Sequence, residues 1–400
     1  MTPNGLCPHF GDCGGCQSQD VPYAEQVAAK EAMLRELFAP VWEEPIPVTP
    51  SPVVWHYRNK VDPAFAPMHY DTPPPKDFER DTVLGFKKRG RWYWPLAIDE
   101  CRIGPEGLGA LLTGVRGWYR EQGLRAFDSR RKQGFLRNLL VRDAKRTGER
   151  MVVLITCPGA FDAGPFVEAV QACYGADSIY RGVSESLADV AFAEELEPLH
   201  GAPHLIDRMR IPDGDNTVDL SFQISPMSFF QTNPAATELL YGAIRAWVRR
   251  AAPTHLYDLY GGMGGIAFSC ADLVQHVWSV ENVEAASADG RQNAARNGIE
   301  NVTFLTEKVE KHLRRLAETD GLAEDAAVVL DPARSGLVPK AIRRLTELAP
   351  RNVLYVSCNP KILARELPDL LEAYTLTHLQ AFDLFPHTKH VEVLASLRLR

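Results

Sequence analysis

The sequence predicts an α/β protein in two parts. The C-terminal part is a doubly wound, largely parallel sheet; the part before it is an α+β domain carrying a cysteine cluster. From His255 onward, strand-like runs alternate with turns and helical stretches, the pattern of parallel strands with helices on both faces. Ahead of that point, strands and helices mix without such a repeat. Three of the eight cysteines also fall among the first 16 residues, which is unusual clustering for a chain of this size.

The elements follow in order. Tyr23 to Phe38, rich in Ala, Glu, Lys and Leu, reads as a helix. Residues 40–53 are Pro-rich and read as an extended connector, and DTPPPKD at 71–77 as a loop. Residues 135–156 hold two strand-like runs around a Gly turn. The character changes near residue 223, so a domain boundary is expected between 1–222 and 223–400. Beyond it, strands are expected at 256–260, 276–281, 302–306, 326–331 and 352–358. A helix near 361–372 and an antiparallel closing pair at 376–382 and 391–399 complete the fold. At 400 residues the chain is long enough for two or three domains.

The formal charge is −7, which argues against nucleic-acid binding by overall charge. The basic residues are nevertheless clustered. Arg116 to Arg150 holds 11 Lys and Arg against 4 Asp and Glu, and Phe86 to Pro95 holds four cations, four aromatics and no acid. Such runs are either solvated faces or a nucleic-acid surface. No apolar run reaches the ~18 residues of a membrane span. The N-terminus lacks the basic and apolar regions of a signal peptide. A cytoplasmic, monomeric protein with no membrane association is expected.

DLYGGMGGIAFS begins in a strand and ends in a helix, and its glycines allow a ligand close to the backbone. Glu281 ends the next strand 23 residues after Asp258, where a carboxylate accepts from ribose hydroxyls. The turn alone fits NAD, FAD and S-adenosylmethionine equally, and Ala267 replaces the third fingerprint Gly. DPARSG (331–336) and YVSCNP (355–360) follow the fourth and fifth strands, over the cleft where open α/β sheets bind ligands. Cys358 is therefore a candidate nucleophile, whereas Cys157, Cys173 and Cys270 read as packing residues. Cys7, Cys13 and Cys16 stand at C-x5-C-x2-C spacing, which suits zinc or a [4Fe–4S] cluster with a fourth ligand from afar.

Together these motifs resemble the RNA uracil-5-methyltransferase family, the enzymes that make 5-methyluridine in ribosomal and transfer RNA. The resemblance also runs through CPHFGDCGGC (7–16), YRNK (57–60), LGF (84–86), SPMSFFQTNP (225–234), YVSCNPKILAREL (355–367) and DLFPHTKHVE (383–392). It implies a class I S-adenosylmethionine-dependent methyltransferase domain with a Rossmann-like sheet. Gln231, Tyr260, Glu281 and Asp331, with Gly262 and Gly264 of the turn, are expected to bind S-adenosylmethionine. Cys358 matches the nucleophile, Glu392 the general base and Arg334 a further active-site contact. Members with this cysteine pattern carry [4Fe–4S], with Cys101 as fourth ligand, and belong to the branch acting on 23S ribosomal RNA. Lys87, Lys88, Arg89, Arg91, Arg130, Arg131, Lys132 and Arg334 are candidates for RNA contact. Two departures stand out: Gly261 replaces a usual Cys, and Ala333 a usual Pro. The small β-barrel with which many members begin is expected to be absent.

The chemistry calls for these groups. C5 of uracil is a weak nucleophile, and a thiolate adding at C6 makes it electron-rich; a base must then remove the C5 proton. The target base must also leave its stack. Three alternatives remain. A DNA cytosine-5-methyltransferase would place Pro before its nucleophile, where Ser357 stands here. Transfer-RNA methylation and a non-catalytic iron–sulfur RNA-binding protein are the others.

Overall fold

The computed structural model describes residues 5–400 apart from 73, 76, 77, 189 and 320. Three positions of the expected 71–77 loop thus lie outside the described residues. The chain forms two compact units interleaved in sequence. One comprises Met1–Asp20, Val53–Asp207 and Ile224–Met227; the other comprises Val21–Pro52, Arg208–Gln223 and Ser228–Arg400. A single cut at 222/223 therefore passes through the strand Asn216–Ile224. It also separates the first helix from its core. That helix buries Leu34 and Phe38 completely, in one apolar cluster with Leu363, Leu367 and Leu370.

The second unit is built on one eight-stranded sheet. In chain order its elements are α1 (Tyr23–Phe38), β1 (Val48–Thr49), α2 (Pro234–Ala251), β2 (His255–Leu259), α3 (Gly265–Cys270), β3 (His276–Glu281), α4 (Glu284–Arg296), β4 (Val302–Thr306), α5 (Val309–Glu318), β5 (Ala326–Leu330), α6 (Pro339–Leu348), β6 (Asn352–Ser357), α7 (Pro360–Leu370), β7 (Tyr374–Phe382) and β8 (Glu392–Leu399). The spatial order is β1-β7-β8-β6-β5-β2-β3-β4. The run β6-β5-β2-β3-β4 is parallel, and β8 is antiparallel to both β6 and β7. All five residues of β5 are buried, as expected of a central strand covered on both faces. The winding reverses between β2 and β5, which makes the C-terminal ends of these strands the ligand crevice.

The sequence anticipates these strands to within a residue or two. It does not anticipate two details. The Pro-rich connector contains β1, which pairs with β7 through Val48 opposite Ala381. The last two strands pair antiparallel as expected, but β8 is inserted between β6 and β7.

The first unit is a second mixed sheet. Its strands run in the order Arg91–Ala97, Thr82–Lys88, Ala64–Pro67, Leu136–Asp143, Arg150–Thr156, Ser178–Val183 and Glu195–Gly201. Leu108–Glu121 and Gly164–Cys173 are its helices, and they share a core with the sheet through Leu111, Val115, Phe166 and Val170. Among the described residues no helix is long and apolar enough to cross a membrane.

Candidate active site

Four chain segments converge at the C-terminal ends of β2, β3, β5 and β6. After β2 the chain turns sharply. Tyr260 and Gly261 donate their N–H groups to the Val280 carbonyl at 2.9 and 3.1 Å, tying the turn to β3. Tyr260 takes a left-handed φ of 68°, uncommon for an aromatic residue. Gly264, at φ 92°, starts α3, where a Cβ would meet the Phe268 ring. At Gly261 a Cβ would run into Ser279 Oγ and the Asp258 carboxylate, so this chain has no room for the usual Cys.

Glu281 bridges this turn and the next loop. Its Oε2 accepts from the Gly262 N–H at 3.1 Å and its Oε1 from the Val283 N–H at 2.8 Å. That fixes the carboxylate and leaves lone pairs for ribose hydroxyls. Asp258 lies below, in β2, accepting from the Ala267 N–H at 3.1 Å and the Ser279 hydroxyl at 3.4 Å. Burial pushes its carboxyl up to about 7. Gln231, Tyr260, Gly262 and Asp331 line one cleft together with Phe230, Tyr241, Met263 and Ile266.

β5 and β6 deliver the candidate groups Asp331 and Cys358. Asp331 follows β5, its N–H donating to Leu259 O at 3.1 Å. Burial, with the charge of Asp258, pushes its carboxyl up to about 7. Cys358 follows β6. Glu392 opens β8, whose next residue, Val393, stands opposite Ser357. The antiparallel insertion of β8 thus brings Glu392 alongside Cys358 although 34 residues separate them. Burial, then Glu392 and Asp331, push the Cys358 thiol up to about 12, with Arg334 opposing. Glu392 is itself driven well above the carboxylate range by burial and by Asp331. Arg334 is exposed; its Nη2 lies 3.4 Å from His390 Nδ1 and its carbonyl accepts from Asn359 Nδ2 at 3.0 Å.

Three carboxylates and a thiol crowded in this way resist ionisation. A cation in the crevice relieves that cost, and the sulfonium of S-adenosylmethionine is such a cation. The donor set therefore fits that cofactor.

Sequence reasoning missed the support beneath the site. Lys30, on α1, donates to Asp383 Oδ1 at 2.7 Å and to the Phe385 carbonyl at 3.3 Å. Gln26 accepts from the His387 N–H at 2.9 Å. Asn233 caps α2 and donates to Ser51 Oγ and to the Leu384 carbonyl, both at 3.0 Å. Tyr241, buried in the cleft near Asp331, was also unforeseen. A lysine in an Ala- and Glu-rich helix reads as a solvent residue, so nothing in the local sequence marks Lys30.

In the first unit, Cys7, Cys13, Cys16 and Cys101 line one cavity of about 200 Å³. Burial and their mutual charge push Cys16 up to about 11 and Cys101 up to about 12. Among the described residues no group of three or more His, Cys, Asp or Glu is gathered about one metal position. Of the basic candidates, Arg89 donates to the Cys16 carbonyl and Lys88 bridges to Cys13 and lies 3.9 Å from Asp12, so both hold the cysteine segment. Arg91 lies over the Trp94 ring at 4.8 Å. Arg130 and Arg131 donate their N–H groups to Asp128 at 2.9 and 3.3 Å, and Lys132 follows at a left-handed φ of 53°.

The sheet order, the Gly turn and the acid ending β3 define a class I S-adenosylmethionine-dependent methyltransferase. Comparison with known proteins narrows this. Residues 211–399 match the tRNA (uracil-5-)-methyltransferase family model. An uncharacterized RNA methyltransferase of Caldanaerobacter subterraneus is 32% identical, over 98% of this chain and 84% of its own length. One of Protochlamydia amoebophila is 31% identical, over 99% and 91%. The Pyrococcus abyssi tRNA (uracil-54, C5)-methyltransferase, solved with S-adenosyl-L-homocysteine, superposes with a TM-score of 0.72 at 27% identity, over 96% of this chain and 85% of its own. The chain belongs to the RNA uracil-5-methyltransferase family.

Proposed function

We propose that the protein methylates carbon 5 of a uridine in RNA, 23S ribosomal RNA in particular, with Cys358 as nucleophile and Glu392 as base. The observation that carries this reading is the β6–β8 register, with Val393 opposite Ser357, which sets Glu392 alongside Cys358. Bound S-adenosylmethionine supplies an electrophilic methyl group, held by Gln231, Tyr260, Glu281 and Asp331 with the Gly262–Gly264 turn. Cys358 adds as thiolate to C6 of the flipped uracil, and the ring's electrons pass to C5, which takes the methyl group. Glu392 then accepts the C5 proton, and the C6–S bond breaks to restore the ring and the thiolate. Arg334, which opposes the raised pKa of Cys358, favours formation of its thiolate.

Ribosomal RNA is favoured over transfer RNA by the four cysteines, since the transfer-RNA branch generally lacks them. Cys7, Cys13, Cys16 and Cys101 would hold a [4Fe–4S] cluster, which ties segment 7–16 to residue 101. Lys87, Arg91, Arg130, Arg131 and Lys132 are assigned to the RNA backbone, with Lys88 and Arg89 supporting the cysteine segment. The test is transfer of tritiated methyl to ribosomal, transfer and DNA substrates, with 5-methyluridine mapped in the product. Label in 23S RNA at one or two uridines is expected. Label in DNA cytosine, or in transfer RNA alone, would overturn the assignment.

A further inference from the structure

The first unit contains a cavity of about 290 Å³ that the methyl-transfer site does not use. Its lining is chemically mixed in a particular way. Phe65, His69, Tyr93 and Phe127 supply ring surfaces, while Arg80, Lys87, Arg130 and Arg137 supply positive charge. One acid, Asp128, also lines it, but its Oδ1 is occupied by the N–H groups of Arg130 and Arg131. Two of these rings, His69 and Tyr93, end a ladder that begins outside the cavity. Arg91 lies over Trp94 at 4.8 Å, Trp94 stacks on His69 at 4.8 Å, and His69 meets Tyr93 at 5.4 Å. Tyr93 is 48% exposed at the rim.

Several cavity groups are left without partners. Arg137 is 6% exposed, stands over the Phe127 ring at 5.0 Å and donates through Nη2 to the Ala188 carbonyl at 2.8 Å. Its Nε, the Nε of Arg80 and the Nδ1 of His69 are buried and find no hydrogen-bond partner among the described residues. Buried polar nitrogens ordinarily find one. Three such atoms belong to residues that line this one cavity, where a ligand that brings acceptors would suit them. A cavity offering flat rings together with guanidinium groups matches a base joined to a phosphate.

We infer that this cavity binds one unpaired nucleotide of the RNA substrate, with its base against Tyr93, His69 and Phe127 and its phosphate near Arg80 and Arg137. This rests on the RNA reading given under Proposed function. The pocket would grip a second nucleotide of the RNA and so select for a loop with a second splayed base.

The full-length protein tests it. RNA affinity is measured for the wild type and for Tyr93→Ala and Arg80→Gln. Tyr93 lies at the rim, so its truncation leaves the core intact; circular dichroism and S-adenosylmethionine affinity check both variants. Each should weaken RNA binding about fivefold or more, the scale of one stacked base, with S-adenosylmethionine affinity unchanged. Single-stranded RNA carrying 4-thiouridine should photocrosslink to peptides spanning residues 65–69, 91–97 or 127–138. Affinities within twofold of wild type for both variants, with no crosslink in those peptides, overturn the inference while leaving methyl transfer to RNA standing. Uridine or adenosine monophosphate binding more tightly than RNA would show a site for a free nucleotide and likewise overturn it. Failure of the wild type to methylate any RNA would instead strike the functional reading itself.

Discussion

Lys30 and Asp383 form an ion pair at 2.7 Å with their side chains only 6% and 0% exposed, and the pair joins helix α1 to the segment that leads into Glu392. Removing one partner of a buried pair strands the other charge, which costs ~3–5 kcal/mol. Lys30→Met should therefore lower the urea midpoint sharply and reduce methyl transfer. The double change Lys30→Met with Asp383→Leu should recover much of the stability, since no charge is then stranded. If Lys30→Met alone unfolds at the wild-type urea concentration, the pair is not holding the segment.

Cys358 and Glu392 should fail differently. Cys358→Ala leaves C5 unactivated, and methyl transfer should fall to background. Glu392→Gln keeps the side-chain size but removes the proton acceptor, so the methylated uracil should stay joined to Cys358. The RNA should then migrate with the protein on a denaturing gel, as it should when wild-type enzyme meets RNA carrying 5-fluorouridine. Wild-type turnover by Glu392→Gln with no trapped species would assign the proton to another group.

The raised thiol gives a pH prediction. With Cys358 pushed up to about 12 in the free protein, its thiolate fraction should grow roughly tenfold per pH unit from pH 7 to 10. Alkylation of Cys358 by iodoacetamide, followed by mass spectrometry, should track that slope without a plateau. Arg334→Ala should be slower at every pH, because Arg334 favours the thiolate. Saturating S-adenosylmethionine should accelerate the reaction by placing a cation beside the sulfur. A plateau near pH 7 would show a thiol already activated.

Asp331 is held at about 7 in the folded protein, against an ordinary value of 3.8. Between these values the folded state binds more protons than the unfolded state. Stability contributed by this group is therefore present at low pH and lost as pH rises from about 4 through 7. Asp331→Asn should raise the melting temperature at pH 8, and the gain should shrink towards pH 5. The same change should weaken S-adenosylmethionine binding in calorimetry. A melting temperature equal to wild type at pH 8 would show that the carboxylate is comfortable in its site.

Cys13→Ser should prevent assembly of the proposed cluster. Anaerobically purified wild type should be brown, with absorbance near ~400 nm from thiolate-bound iron–sulfur, and the variant colourless with little iron or sulfide. Stoichiometric zinc without iron in the wild type would point to the other chemistry that this spacing admits.

Most of the catalytic unit was legible in the sequence because its signals are local. A Gly-rich turn between an apolar run and a helix, an acid ending the next strand and a Cys before Asn-Pro each declare themselves within a dozen residues. The environment of Glu392 was not legible. It depends on β8 entering the sheet between β6 and β7, a long-range choice that strand propensity does not encode. Lys30 was hidden for the same reason, since the composition of its helix does not say which core receives it. The interleaving of the units escaped notice because α1 stands ahead of a domain to which it does not belong. Gly261 shows the converse: a departure from the family pattern became intelligible only once Ser279 and Asp258 were seen behind it.

The span of 353 residues between Lys30 and Asp383 has a bearing on how the protein is made. At ~5–20 residues per second, a ribosome needs roughly 20–70 s to travel from one to the other. Throughout that interval α1 has emerged without the surface that later receives Leu34 and Phe38. The nascent chain thus carries an undocked amphipathic helix while the whole first unit is synthesised and can fold. Chaperone dependence during translation should accordingly concentrate on this early helix.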